Sequence, residues 1–436
     1  MKTHRILLML SLSLFARGLR AGVAAPQESP LGITPALVNQ LVEEARGRNP
    51  ALEAAAARAD AAAEAVDSVR KWEDPVFTFG LWLPGPQGFT ASEMGNLVYG
   101  LEQRLPLFGR PELRRSVAEA AAARERLNVR EETERLRRDL TVALLDLALA
   151  DEDVELAREA LDWLDATAAA IDSRYKVGKS SQVEWLRIQT ERAKAANQLT
   201  TNQLLRGRQQ AQLNRLLNRD LGAPWPRIAL PAIAGPVAFD DRLAAAALDF
   251  APGLKVRQQE AMQDQAIAQL TRRQRMPEVG VGLQARQYTG DGGIREGTMS
   301  VDLSLPWLNG RHYDADIRRD QARVRAAERD ADDYALGIRN ELHHATVDVD
   351  AARRQALLYR DEIIPLTEQT LSSARAAWEN NLGPFQDVLE ARRILVENRQ
   401  ALAEAVAEQG RKLADITLLT GVTDVPAFAP GNAATH

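Results

Sequence analysis

The sequence predicts a mainly α-helical fold with a transmembrane β portion, for three reasons. It reads as two copies displaced by 202 residues, its longest segments carry a seven-residue apolar repeat, and four short segments alternate apolar and polar residues. The duplication predicts two tandem structural repeats. Their helices would form a long α-helical coiled-coil barrel, and their strands would supply four strands per protomer of a membrane barrel.

The N-terminal residues predict a secretory signal peptide over residues 1–25. Basic Lys2 and Arg5 precede the apolar stretch 6–16, and residues 23–25 (Val-Ala-Ala) fit a cleavage site. The chain has no cysteine, which excludes a disulfide and a lipid-bearing cysteine. No later segment has the run of about 20 apolar residues that a membrane-spanning helix needs. A membrane location would therefore require strands.

The composition favours long helices over a thick globular core. Hydrophobic residues make up 45% of the chain but aromatic residues only 5%, and alanine is abundant. Small side chains let helices approach closely along their length. The 55 Lys and Arg residues nearly balance the 60 Asp and Glu residues, so the charge gives no reason to expect nucleic acid as a partner.

Repeat 1 is predicted over residues 26–220 and repeat 2 over residues 241–421. Each runs helix, strand, turn, strand, long helix, tight turn, helix. Residues 221–240 hold four prolines and two glycines, which predicts a linker or equatorial segment outside the helices. Residues 422–436 are predicted to be a flexible C-terminal tail.

The long helix of each repeat keeps one heptad position apolar. In repeat 1 the position is occupied by Ala122, Val129, Leu136, Ala143, Ala150, Ala157, Leu164 and Ile171. In repeat 2 it is occupied by Ile317, Val324, Ala331, Ile338, Ala345, Ala352, Tyr359 and Leu366. A strict seven-residue repeat supercoils helices that pack side by side. At ~1.5 Å per residue the first of these helices would be a rod on the order of 100 Å long.

Two tight turns are predicted to connect the long helices to their return helices, at about 176–181 and about 380–384. Gly178 and Gly383 permit the left-handed conformation that ends a helix. Pro384 suits the start of the next helix.

Four segments with strict alternation predict strands, at about 76–84, 96–105, 278–288 and 297–305. Their length and their pattern, apolar on one face and polar or glycine on the other, are typical of membrane-spanning strands. A small soluble sheet that caps a helical bundle has the same pattern and remains an alternative. Glu102 and Asp302 lie on the polar face and are candidates for lining a lumen.

Four strands cannot close a barrel in lipid, because an open edge would leave backbone groups unpaired. Two chains would give eight strands, which pack shut, whereas three give twelve and leave room for water. The sequence therefore predicts a homotrimer with a twelve-stranded β-barrel. The strand connections, Pro84–Met94 and Tyr288–Glu296, are rich in glycine, proline and polar residues and are predicted to be surface loops.

No catalytic, cofactor or metal site is predicted. The glycine-rich stretch 290–293 lacks the helix or carboxylate ladder of a phosphate or calcium loop. His343 and His344 are adjacent on a helix, point about 100° apart and have no further cysteine or histidine nearby. The chain has no nucleophile elbow and no phosphate loop, so we expect that it is not an enzyme.

Three phrases carry a resemblance to a known family: residues 101–110 (LEQRLPLFGR), 174–178 (RYKVG) and 387–390 (DVLE). Together with the duplication they resemble the TolC-type outer-membrane factor (outer membrane efflux protein) family, with wording closest to its CusC- and CzcC-like members. The resemblance implies a trimeric channel whose barrel lies in outer membrane lipid and whose helices project into the periplasm. It also implies docking to a periplasmic adaptor (membrane fusion protein) and an inner-membrane pump.

The family's site residues map onto both predicted turns. The implied adaptor contacts are Val177, Gly178, Lys179, Asn381, Leu382 and Gly383. Asp387 and Glu390, just beyond the second turn, match carboxylates that form a ring at the closed aperture of the family's channels. Stabilisation of a helix N-terminus by acidic residues explains the same two positions without a gate.

The expected function is that of an outer-membrane channel in a tripartite efflux system, a passive gated exit duct. Heavy-metal cations and small toxic compounds are candidate substrates. Because the pump chooses the cargo, the sequence leaves metal ions, drugs and secreted peptides all open. The alternative is a soluble periplasmic coiled-coil scaffold or adaptor protein without a pore.

Overall fold

The computed structural model describes residues 30–81, 95–288 and 292–422. The predicted signal peptide (1–25), the predicted loop Pro84–Met94 and all but the first residue of the predicted tail (422–436) lie outside the described residues. The described part is mainly helical, as predicted.

Nine helices are present in the described residues: α1 (Pro35–Arg46), α2 (Pro50–Asp67), α3 (Arg110–Lys176), α4 (Gln182–Leu216), α5 (Asp241–Phe250), α6 (Pro252–Arg273), α7 (Gly310–Leu358), α8 (Ile364–Glu379) and α9 (Phe385–Thr420). Several begin at a polar cap, which satisfies an N–H group that has no partner within the helix. Ser181 and Glu184 form a reciprocal capping box at the start of α4. Asn49 accepts hydrogen bonds from the backbone at the start of α2.

The 67 residues of α3 form a rod of about 100 Å. Its predicted heptad position is buried at every residue except Val129, which is half-buried. Leu140, Leu144 and Leu147, also on α3, are fully buried in a core that includes α1 and the end of α4. The apolar stripe therefore faces neighbouring helices.

The heptad of the second repeat fails at Leu366, which is 62% exposed. A π-helical turn, Tyr359–Ile363, separates α7 from α8. Such a turn inserts one extra residue, and Pro365 has no N–H to continue the regular ladder. The buried position consequently moves by one residue to Thr367, which is 9% exposed.

The strands form two sheets. β1 (Leu31–Gly32) pairs in parallel with β4 (Ile228–Ala229). The larger sheet contains β2 (Val76–Leu81), β3 (Gly95–Arg104), β5 (Val279–Tyr288) and β6 (Ile294–Leu303), antiparallel in the order β2-β3-β5-β6. In this single chain the larger sheet is open, with β2 and β6 at its edges.

The fourth predicted strand, at about 297–305, is shifted in the structure. β6 begins at Ile294, inside the stretch Tyr288–Glu296 that the sequence predicts to be a loop. Ile294 pairs with Gln287 after an irregularity in the register, which extends the ladder toward the turn. The strand ends at Leu303, because Pro306 begins a short 3₁₀ helix.

One face of the larger sheet is apolar and exposed. Phe77, Phe79, Leu283, Met299 and Val301 are each more than half exposed. A soluble sheet that caps a helical bundle would bury these side chains, so the exposure argues against that alternative.

The predicted linker crosses the helices as a strap. Asp151 of α3 accepts hydrogen bonds from the Ile228 backbone N–H, at 2.9 Å, and from Arg206 Nε, at 2.5 Å. Gln409 of α9 both accepts from the backbone N–H of Ala234 and donates to its carbonyl. The strap is thus fixed to both repeats.

Among the described helices, none is both long and apolar enough to cross a membrane.

Candidate functional site

Two carboxylates meet on the polar face of the larger sheet. Glu102 on β3 and Asp302 on β6 flank Gly280 on β5. A Cβ atom on Gly280 would lie 3.4 Å from Glu102 Oε1 and 3.9 Å from Asp302 Oδ2. Both acidic side chains therefore lie close to the same glycine, on one surface of the sheet.

Glycine, serine and threonine lie on the same face, together with the larger side chains of Arg104, Gln284 and Arg286. A Cβ atom on Gly282 would lie 2.5 Å from Ser300 Oγ, and one on Gly100 would lie 3.4 Å from the Thr78 side chain. The result is a hydrophilic strip with negative charge near the helices. Such a surface attracts cations and repels anions in the water next to it.

The turn between α3 and α4 has the predicted form. Gly178 is left-handed, with φ of 75°. The Lys179 N–H donates to the Arg174 carbonyl, at 2.8 Å, and closes the end of α3. Val177 is 68% exposed at the tip.

The turn between α8 and α9 departs from the prediction. Asn381, with φ of 56°, takes the left-handed conformation that the sequence assigns to Gly383. Asparagine tolerates this conformation because its short polar side chain bonds locally. Gly383 instead lies close to α8, where a Cβ atom would come within 3.2 Å of Ala377 Cβ. Leu382 is 84% exposed at the tip.

The structure brings the two turns together. Arg174 at the end of α3 donates to Asn381 Oδ1, at 3.2 Å, and stacks over the Trp378 ring, at 4.7 Å. Arg187 on α4 donates to Gln386 on α9, at 2.8 Å. A core of Leu164, Ala168, Ile171, Ile188, Trp378, Phe385 and Val388 fills the space above the turns. The six residues predicted to contact an adaptor therefore lie on two adjoining tips.

The predicted aperture residues lie in the first two turns of α9. Asp387 is exposed in the first turn, where a carboxylate stabilises the helix N-terminus. Glu390 pairs with Arg393 on the same helix, at 2.6 Å. One chain thus places both carboxylates at the tip on the surface of α9.

Sequence reasoning missed an ion pair that joins three helices. Arg399 on α9 contacts Glu159 on α3, at 3.2 Å, and Glu368 on α8, at 2.9 Å. Arg399 and Glu159 are 240 residues apart, and no local pattern connects them. This ion pair holds one helical hairpin against the other above the tips.

Sequence reasoning also missed Asp153 on α3. Burial, together with the nearby carboxylates Glu404 and Glu152, raises the pKa of Asp153 to about 6. The protonation state of Asp153, in the middle of the bundle, therefore changes in mild acid.

His343 and His344 do not converge. Their rings lie 6.1 Å apart at an interplanar angle of 82°, and His343 packs against Phe239. Across the three described stretches, no group of three or more His, Cys, Asp or Glu residues is arranged to hold a metal ion.

The sequence profile of the Outer membrane efflux protein family matches residues 41–219 and 243–422 of this chain. The two matched stretches begin 202 residues apart. No curated protein sequence matches the chain significantly.

Several solved structures have a similar fold. The outer-membrane channel OprN has a TM-score of 0.76 and 19% identity, covering 88% of this chain and 89% of that chain. VceC, an outer membrane protein from Vibrio cholerae, has a TM-score of 0.73 and 16% identity, covering 88% of this chain and 96% of that chain. CusC, described for transmembrane channel formation, has a TM-score of 0.74 and 16% identity, covering 92% of this chain and 96% of that chain.

Proposed function

The chain belongs to the Outer membrane efflux protein family, and from this premise we propose that it is the exit duct of a tripartite efflux system. The protein lies in the outer membrane, and its helices project into the periplasm. The duct is passive. A periplasmic adaptor and an inner-membrane pump deliver the substrate and supply the energy.

The open sheet is the observation that carries the proposal. It has an exposed apolar face, an opposite face of glycine, serine and carboxylate, and two free edges, β2 and β6. Lipid would cover the first face and water the second, and neighbouring copies would pair with both edges. Three copies give a twelve-stranded barrel that is wide enough for water.

The helices support the same closure. α3 packs against α4 and α9, and α9 packs against α7 and α8, which leaves α4 and the α7–α8 segment at opposite edges of the protomer. Both edges expose leucine or valine: Val183, Leu186, Leu204, Leu336, Val347, Leu358 and Leu366. In a closed trimer α4 of one copy meets α7 and α8 of the next, and these side chains are buried between copies.

We propose a signal peptide at 1–25, tandem repeats at 26–220 and 241–421, a linker at 221–240 and a tail at 422–436. The spacing of the two matched family stretches supports the tandem organisation.

The two tips form the proposed gate and docking surface. Val177, Gly178 and Lys179 on one tip, and Asn381, Leu382 and Gly383 on the other, contact the adaptor. Threefold symmetry would place Asp387 and Glu390 of all three copies around one aperture. A ring of carboxylates would favour cations, and heavy-metal cations or small toxic compounds are the proposed cargo.

Membrane fractionation and single-channel recording test the proposal. We expect a urea-resistant outer-membrane protein that forms trimers and conducts ions in planar bilayers. A monomer that washes off the membrane and gives no channels would favour a soluble periplasmic scaffold or adaptor instead.

A further inference from the structure

Four strand–helix junctions lie along one edge of the larger sheet. β2 and β5 begin at this edge, and β3 and β6 end there, because Val76 pairs with Glu102 and Val279 pairs with Leu303. We call residues 70–75, 104–110, 272–278 and 304–311 the junction edge. The edge separates the exposed apolar face of the sheet from the helices.

Large apolar side chains are exposed at the junction edge outside the strands. Trp72 is 52% exposed, Trp307 61% and Leu308 73%. Phe108 is 41% exposed and has a left-handed backbone, with φ of 59°. That conformation costs on the order of 1 kcal/mol or more for a residue with a bulky side chain. In water the exposed apolar area of these side chains is unfavourable.

Four cations of the junction edge have no counter-ion. Lys71, Arg272, Arg273 and Arg311 are exposed, and none of them forms an ion pair with another residue in the described stretches. Their neighbours differ. Arg104 and Arg114 share Glu73, and Arg110 pairs with Glu278. The junction edge therefore has free positive charge beside exposed aromatic rings.

We propose that the junction edge binds phospholipid headgroups. Trp72, Phe108 and Trp307 lie at the boundary of the acyl chains, and Lys71, Arg272, Arg273 and Arg311 bind the phosphates. Amphipathic rings favour this boundary, and cations with long aliphatic stems reach the headgroup phosphates from it. The inference rests on the proposed membrane-spanning sheet and adds the ligand at its edge.

The dimensions agree with this placement. β5 has ten residues, so at about 3.4 Å per residue it is about 34 Å long. A tilt of about 45° reduces this length to about 24 Å along the membrane normal, close to the apolar band of about 25 Å in membrane barrels. The junction edge then falls where the hydrocarbon ends.

The proposed role of the four cations is tested by measuring which phospholipids remain bound to the protein. The full chain is reconstituted in nanodiscs made from phosphatidylcholine mixed with phosphatidylglycerol, and the retained lipids are measured after dilution into detergent. We expect enrichment of the anionic lipid. Enrichment should fall about fivefold or more in the variant Lys71→Gln, Arg272→Gln, Arg273→Gln, Arg311→Gln, because one cation near an anionic surface contributes about 1 kcal/mol.

The matched control removes the same charges from helix positions away from the edge: Lys194→Gln, Arg242→Gln, Arg329→Gln and Arg354→Gln. Each of these side chains is at least 68% exposed. We expect the control to retain the enrichment. Equal loss in both variants, or no enrichment in the original chain, would overturn the inference.

Fluorescence quenching tests the rings. The emission of each ring is the difference between the spectra of the original chain and of Trp72→Phe or Trp307→Phe. Lipids brominated near the headgroup should quench this emission more strongly than lipids brominated near the chain ends. Absence of quenching would mean that a neighbouring copy covers these rings. If the chain conducts in phosphatidylcholine but shows neither effect, only this inference fails; if it does not insert at all, the proposed function fails with it.

Discussion

At the scale of single residues, two glycines lie where side chains of neighbouring elements come close. Gly280 has no side chain, and the carboxylates of Glu102 and Asp302 occupy the surface around it. At the second tip Gly383 lies against Ala377, while Asn381 supplies the left-handed turn. A Cβ atom at position 383 would crowd Ala377, whereas one at position 280 would make ordinary contacts with the two acidic side chains.

The double variant Glu102→Gln, Asp302→Asn should reduce the preference of the channel for cations over anions. The change removes six negative charges from the proposed trimer while it preserves side-chain size, so conductance should change less than selectivity. Reversal potentials in a salt gradient measure the effect. The control variant Glu102→Asp, Asp302→Glu keeps both charges and should keep the selectivity. An unchanged reversal potential in the neutral variant would show that these residues do not line the conduction path.

Asp153→Asn should increase the free energy of unfolding at neutral pH, and the increase should be smaller in acid. The folded pKa of about 6 is above the ordinary value of 3.8, so the ionised carboxylate destabilises the folded state above pH 6. As the pH falls from about 6 to 3.8, the folded state binds the proton first and the penalty disappears. We expect a gain of about 1 to 2 kcal/mol at about pH 7.5, below the ~3 kcal/mol of the full shift because the side chain is partly exposed.

Chemical unfolding in detergent at several pH values measures this gain. Asp332→Asn is the control, because Asp332 is exposed and its surface ion pair with Arg329 contributes little. A gain for Asp153→Asn that does not change with pH would contradict the assignment.

At the scale of helices, the second repeat differs from the first in the continuity of its long helix. α3 is regular through all 67 residues, whereas a π-helical turn separates α7 from α8. The extra residue rotates α8, so that Thr367 and Trp378 are buried instead of the positions that a strict heptad predicts. This rotation helps to place Trp378 under Arg174, the contact that joins the tips.

Deleting Glu362 from the π-helical turn should be tolerated better than deleting Arg354 from α7. The first deletion converts the turn to a regular α-helix, in which the buried stripes on both sides remain in phase. The second rotates every following residue by about 100° and exposes its apolar side. Trimer yield and thermal stability compare the two variants, and equal damage from both deletions would contradict this interpretation.

Arg399→Ala should loosen the contact between the two hairpins and raise the basal conductance. The residue bridges Glu159 and Glu368 on different helices, and its removal breaks both ion pairs. Arg375→Ala is the control, because within the part of the chain that the structure describes Arg375 pairs only with Glu379, on its own helix. Conductance at low voltage that is equal in the two variants would show that the bridge does not hold the tips closed.

At the scale of the whole molecule, one chain presents surfaces that cannot remain exposed in water. The sheet has a bare apolar face and two free edges, and the helical layer has apolar residues at both margins. Lipid can cover the face, but only other protein strands can pair with the edges. Under the proposed function, assembly and membrane insertion are therefore coupled.

Leu283→Arg should prevent or weaken insertion, because a cation on the lipid face near the middle of the bilayer costs about 2 to 4 kcal/mol. Leu283 is 57% exposed and lies in the centre of β5. Met262→Arg, at an equally exposed helix position, is the control. The yield of trimer in the outer membrane measures both, and normal insertion of Leu283→Arg would contradict the lipid-facing assignment.

Much of this architecture follows from the sequence alone, because periodicity is a local property. The heptad from Ala122 to Ile171 predicts a buried stripe, and the alternation around Phe77 and Val281 predicts strands with one apolar face. The duplication of 202 residues and the phrases at 101–110 and 174–178 identify the family that the profile confirms.

Other features were decided by the tertiary structure, because they depend on residues far apart in the chain. The Arg399 bridge, the acidic pair around Gly280 and the raised pKa of Asp153 need helices or strands that folding brings together. The π-helical turn and the left-handed Asn381 depend on how α8 packs against its neighbours. A periodic pattern specifies which face of an element is buried, but only packing specifies which partners that face meets and where the pattern must shift to meet them.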